Sequence, residues 1–133
     1  MRSPCRALVA TGSPFAPVVR DGRTIRISQC NNVYIFPGVG QGVLTSGARR
    51  VPDTFFLAAA RALADASPAT RDPDLGLLPP LDDVVPVSRR IALGVIADAQ
   101  RLGLAPTLDS EEWTRRLDAR WWEPEYAVFR KRC

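Results

Sequence analysis

The chain has 133 residues, 46% of them hydrophobic and 24% charged, which suits one small domain able to bury a core. It has no histidine and three widely spaced cysteines (Cys5, Cys30, Cys133) without a Cys-x-x-Cys, which excludes histidine-based nucleophile pairs and gives no sign of a disulfide frame or a zinc site. Net charge is +4, no apolar run approaches the ~20 residues of a membrane span, and no apolar region follows Met1–Arg6 as a secretory leader requires. The expected location is therefore cytoplasmic.

The charge excess is concentrated early: residues 1–50 hold seven Arg and one Asp. A basic balance raises nucleic acid as a partner. No DNA- or RNA-binding module is recognisable, and no aromatics interleave a basic helix face, so a solvated surface or a face meeting another part of a larger protein is the better reading.

In chain order, Arg6-Ala-Leu-Val-Ala10 reads as a buried strand running into a loop at Thr11-Gly12-Ser13-Pro14. Such a turn, at the carboxyl end of a strand, is where open α/β sheets bind ligands, although it can equally be an ordinary glycine turn. Val18-Val19-Arg20, Asp21-Gly22 and Arg23–Ile27 form a hairpin pattern, with Arg20, Arg23 and Arg26 facing solvent. The pattern turns helical from Val33, with a helix starting at or kinked near Pro37. Gly38, Gly40 and Gly42 alternate inside it. Val43 stands where a dinucleotide-binding Gly-x-Gly-x-x-Gly needs its last glycine, so close packing explains the three better.

Asp53 opens a second helix expected to bury Phe55, Phe56, Ala59, Ala60, Leu63 and Ala66. Residues 67–82, rich in Pro and Asp, read as a connecting loop closed by Leu78-Pro79-Pro80-Leu81. Asp82-Asp83 lack a third ligand grouped with them, so they read as helix-entry charge rather than a metal site. A third helix, Val87–Leu102, should bury Val87, Ile91, Val95, Ala99 and Leu102 and end on a left-handed Gly103. The last helix opens at Asp109 with Glu112 three residues on, points Trp113 and Leu117 inward, and stops at Pro124. Tyr126, Phe129 and a basic tail, Arg130-Lys131-Arg132, follow. The late aromatic cluster suggests a surface that packs on something else.

The stretch Ser28-Gln-Cys-Asn-Asn-Val-Tyr-Ile-Phe-Pro-Gly-Val-Gly-Gln-Gly42 organises the rest. Asn31 and Asn32 stand directly before the apolar block Val33–Phe36. An amide offers a donor and an acceptor, so a fixed Asn can hold a carboxylate or hydroxyl. The alternative is that both merely cap the following helix.

Thr11-Gly12-Ser13-Pro14-Phe15, Gln29–Gly38, Ser46-Gly47-Ala48-Arg49-Arg50, Phe56–Ala60 with Leu78–Leu81, and Trp122–Tyr126 stand in one order with one set of gaps. Together they resemble the C-terminal portion of malic enzymes, from about Arg6 to Arg132. Many members have Gly-Gln-Gly before the Asn pair; Ile27-Ser28-Gln29-Cys30 is more similar to the bacterial NAD-linked branch. Gln41 departs from the apolar residue usual in the family.

The resemblance implies an α/β fold: the end of a Rossmann-like dinucleotide-binding domain (strand plus hairpin) followed by a mostly helical layer, an incomplete domain. It implies the division 1–32, end of the NAD-binding domain; 33–108, a helical segment packing on the missing N-terminal part; and 109–133, the C-terminal helix and basic tail. It implies oxidative decarboxylation of malate to pyruvate and carbon dioxide, with NAD and with Mg or Mn. Asn31 and Asn32 match the substrate-binding position, and Gly12 the cofactor-binding loop at the nicotinamide. The family's Lys base, Tyr acid, metal cluster and glycine-rich motif match no position, so no residue here is catalytic or a metal ligand, and Lys131, Tyr34 and Tyr126 are not substitutes. The implied partners are malate, the missing N-terminal part or a neighbouring subunit, and further copies in a complete homo-oligomer. An enzyme piece inactive alone is the leading expectation. A free-standing binding or assembly module, and a basic nucleic-acid binder, are the alternatives.

Overall fold

Val87, Ile91, Val95 and Ala99 recur every four residues, and Ser88, Ala92 and Ile96 fill the next position round. That makes a stripe wide enough to be covered from more than one side. In the computed structural model, which describes residues 7–122, all of these are buried on one helix, α3 (Val84–Arg101). The earlier elements are β1 (Val9–Thr11), β2 (Val18–Arg20), β3 (Arg23–Ile25), β4 (Ile27–Gln29), α1 (Phe36–Ser46) and α2 (Asp53–Asp65); α4 (Ser110–Arg120) follows. Helices α1 and α2 both pack along α3, and α4 contacts α1 and α3. The core joins Phe55 and Ala59 of α2 to Val87, Ile91, Val95 and Ala99, with Val39 and Val43 of α1 against them.

Glycine lets α1 approach α3 closely. A Cβ on Gly38 would lie 2.6 Å from Ile91 Cβ and 2.8 Å from the Ser88 carbonyl; on Gly42, 2.7 Å from Val95 Cβ and 2.9 Å from the Ala92 carbonyl. Packing therefore explains these two. It does not explain Gly40, which points away from α3 with nothing within 4 Å. Gly40 shares the outer face of α1 with Phe36 and Leu44, exposed at 73% and 60%. Phe36 is thus not core, and Tyr34 is the one residue of the Val33–Phe36 block that is fully buried. A turn of 3-10 helix, Asn32–Tyr34, precedes α1 and rotates Tyr34 inward.

On α2 the expected stripe is one position too wide, whereas on α3 Val87, Ile91, Val95 and Ala99 are buried as expected. Phe55 and Ala59 are buried and Ala62, Leu63 and Ala66 half-buried, but Phe56 and Ala60 lie outside. Neighbouring positions are 100° apart on a helix, so only one stripe can face α3. α3 begins at Val84, earlier than expected, and Leu102 beyond its end is exposed. Gly103 does adopt φ 66°, and the Leu104 N–H bonds the Ala99 carbonyl at 2.8 Å, a Schellman closure. Asp109 caps α4 by accepting the Glu112 N–H at 2.7 Å. Trp113 and Leu117 are core, so the late aromatic cluster is not all surface; Trp122 is exposed. Pro124, Tyr126, Phe129 and the basic tail lie outside the described residues.

Two small sheets precede the helices. β2 and β3 form the expected hairpin, Val18 opposite Ile25 and Arg20 opposite Arg23. Asp21 and Gly22 take φ 52° and 73°, both positive as a primed turn requires. Arg20, Arg23 and Arg26 are exposed, and Arg23 is also paired with Asp74. The Arg23–Ile27 run does not stay in one strand: Ile27 moves to β4, which pairs in parallel with β1, Val9 opposite Ile27 and Thr11 opposite Gln29. β1 starts later than the expected strand, and Leu8 and Val9 are exposed rather than buried. A parallel pair is buried only when both faces are covered; β4 is half-buried, with Gly76 and Leu78 against Ser28, while Val9 of β1 stays exposed.

Candidate functional site

Because β1 and β4 are parallel, their carboxyl ends open on the same edge. The loop after β1 carries Gly12, and the loop after β4 carries Cys30, Asn31 and Asn32. The Cys30 N–H donates to the Thr11 carbonyl at 2.7 Å, and the Gln29 side-chain amide to the Gly12 carbonyl at 3.4 Å. Thr11 Oγ1 donates to the Ser13 carbonyl at 2.8 Å, closing the first loop on itself. The residues singled out from sequence, Gly12 and the Asn pair, thus share one edge although they are far apart in the chain.

Asn31 is extended (φ −130°, ψ 148°), and its Oδ1 accepts the Val33 N–H at 3.0 Å. It therefore does cap the 3-10 turn, but only with its oxygen. The amide NH2 has no partner among the described residues. The Asn32 side chain has none either, and both residues are exposed. Gly12 has no atom within 4 Å of where a Cβ would stand and no positive φ, so neither packing nor backbone strain within the described residues accounts for it.

Tyr34 is 2% exposed and its hydroxyl donates to the Pro79 carbonyl. Burial, then the negative charge of Asp83 and of Cys30 nearby, pushes its phenol above the ordinary value. It is a protonated, engaged donor facing the core. Ser28 Oγ accepts the Leu78 N–H at 3.1 Å. Neither contact was legible from sequence, since each partner comes from residues 67–82, whose composition signals only a loop.

Among the described residues no cluster of three or more Cys, Asp or Glu could hold a metal ion; Asp82 and Asp83 are exposed at the entry to α3. The residues described do not fit a metal centre, and no step is assigned to one. Gly38 and Gly42 are taken up by the close approach of α1 to α3. At the edge formed by the loops after β1 and β4, Gly12 and Asn31 are exposed and Gln29 is half-buried, so it presents backbone carbonyls and side-chain amides. None of the helices described is long and apolar enough to cross a membrane.

The profile of "Malic enzyme, NAD binding domain" matches residues 2–100. The "NAD-dependent malic enzyme" of Edwardsiella ictaluri is 50% identical over 125 residues, that of Proteus mirabilis 48% over 126, and that of Acinetobacter baylyi 46% over 126. These matches cover 94–95% of this chain but 22% of each relative, so the chain spans about a fifth of their length.

Proposed function

The chain belongs to the malic enzyme family, within its NAD-binding domain, and from that premise we propose that it supplies the substrate-facing edge of an NAD-dependent malic enzyme. The reaction is oxidative decarboxylation of malate to pyruvate and carbon dioxide. Hydride acceptance is the chemistry NAD brings when bound.

The observation that carries the reading is the division of labour within Asn31. Its oxygen accepts the Val33 N–H, so the group left without a partner among the described residues is the NH2, a donor. A free NH2 donor suits a carboxylate of malate, which only accepts. Asn32, whose side chain has no partner among the described residues, is the second donor at this edge. Gly12, bare toward the same edge, leaves room for the nicotinamide. No described residue is assigned as base, acid or metal ligand; those groups come from another part of the enzyme, and the chain is inactive by itself.

The division 1–32, 33–108 and 109–133 follows from the same reading. The first part ends the dinucleotide-binding sheet, the second packs on the rest of the enzyme, and the third is the closing helix and tail. Phe36, Gly40 and Leu44 on the outer face of α1, with Phe56 and Leu57 on α2, support a helical layer that is covered in the whole protein.

The test is malate-dependent NADH formation with Mn, by the chain alone and mixed with the portion of the Acinetobacter baylyi enzyme that lacks the matched stretch. Turnover only in the mixture, with malate affinity reduced about 10- to 100-fold in Asn31→Ala, is expected from losing a hydrogen bond to a charged group. Turnover by the chain alone, or an unchanged malate KM in Asn31→Ala, overturns the reading.

A further inference from the structure

We propose that residues 72–79 form a strap that sets the geometry of the Asn31–Asn32 turn, with Tyr34 as the positioning residue through which it acts. This rests on the reading of Asn31 as a malate contact. The strap is tied down at successive points. Asp74 accepts two 2.8 Å hydrogen bonds from Arg23 Nη2 on the hairpin. Gly76, at φ +96°, lies flat on β4: a Cβ there would stand 2.9 Å from Ser28 Oγ. The Leu78 N–H donates to that same Ser28 Oγ at 3.1 Å, and the Pro79 carbonyl accepts the Tyr34 hydroxyl.

Ser28 lies three residues before Asn31, and Tyr34 three residues after it. The strap therefore grips the turn on both sides without touching either amide. The Asn amides cannot fix themselves: Asn31 has one side-chain bond, and Asn32 none among the described residues. Their direction is inherited from the backbone of residues 28–34. Pro79-Pro80 makes the far anchor stiff, since proline fixes φ and restricts the residue before it. The Tyr34 ring is buried, so its hydroxyl is delivered to one carbonyl only.

Hydrogen exchange of single amides in the full 133-residue chain tests this. Tyr34→Phe keeps the ring and removes the bond, and Ser28→Ala removes the other anchor. In each variant the Val33 and Leu78 N–H groups are expected to exchange about tenfold faster, the loss of one buried hydrogen bond. The Ile91 and Val95 N–H groups of α3 should keep their rates. Unchanged exchange at Val33, or equal acceleration throughout α3 in both variants, overturns the strap and leaves Tyr34 a packing residue. In the two-part enzyme mixture, Tyr34→Phe should raise malate KM several-fold and leave NAD KM unmoved; equal changes in both overturn the positioning role. If that mixture is inactive even without substitutions, the functional reading has failed, and the exchange rates still decide whether the strap holds the turn.

Discussion

Two glycines of one helix, two residues apart, should respond to alanine with opposite signs. Gly40→Ala places a methyl in open space. It gains the helix preference of alanine over glycine, about 0.5–1 kcal/mol, partly through the unfolded chain. Gly42→Ala gains the same preference but drives its methyl to 2.7 Å from Val95 Cβ and 2.9 Å from the Ala92 carbonyl. Nonbonded carbons rest near 3.5–4.0 Å, so α1 and α3 must part by about 1 Å. Overpacking of this kind costs about 1–3 kcal/mol, and the larger half of that range applies because a backbone carbonyl cannot swing aside. The net expectation is a loss of about 1–2 kcal/mol. Val95→Ala should not rescue it, since the Val95 Cβ and the Ala92 carbonyl both remain. Urea unfolding reads the two shifts as midpoints at constant slope. Stabilisation by Gly42→Ala, or destabilisation by Gly40→Ala, would refute the assignment of the two faces of α1.

Other outcomes follow from the same geometry. Asn31→Asp keeps an oxygen for the Val33 N–H but replaces the outward donor with a negative charge, so unfolding free energy should stay within about 0.5 kcal/mol while malate binding in the two-part enzyme falls at least as far as in Asn31→Ala; a malate KM like the parent's would argue against the donor role. Phe36→Ser should shift the stability of the isolated chain by no more than about 0.5 kcal/mol, since the ring is 73% exposed, yet weaken association with the rest of the enzyme in a pull-down titration. The Tyr34 phenol is raised in the fold, so its contribution is complete below pH 10 and drains away as pH climbs past 10, where the unfolded chain gives up the proton first. Glu112, lowered by hydrogen bonds from Arg116 and Arg115, behaves oppositely: its contribution is complete above the ordinary carboxylate range and is lost as pH falls from there through its lower value in the fold. Urea midpoints from pH 2 to 11 should therefore decline at both ends, and the Tyr34→Phe variant should lose the alkaline decline selectively.

What could be read from the sequence depends on how far the cause lies along the chain. Asp21-Gly22 makes its turn because two adjacent residues accept positive φ. Asp109 caps because its own side chain reaches the N–H three residues on, and Gly103 closes α3 by local backbone sterics. The four-residue spacing of Val87, Ile91, Val95 and Ala99 likewise needs only helix geometry. The Asn pair was legible as a candidate because two adjacent amides stand directly before an apolar block whose Tyr34 is buried.

Tertiary structure decided the remainder. Phe55 against Phe56, and Tyr34 against Phe36, are chemically equal claims on the interior; which one enters is set by where α3 lies. Gly38 and Gly42 differ from Gly40 only because α3 passes one side of α1. The use of Asn31's oxygen is local, but the placement of its turn beside Gly12 comes from the parallel pairing of β1 with β4. The strap at residues 72–79 was read as plain loop, because its anchors, Arg23, Ser28 and Tyr34, are distant in sequence and its own composition speaks only of turns. Local sterics and periodicity can be summed from neighbouring residues, whereas the choice between two faces, or of a distant hydrogen-bond partner, exists only once the helices and strands have met.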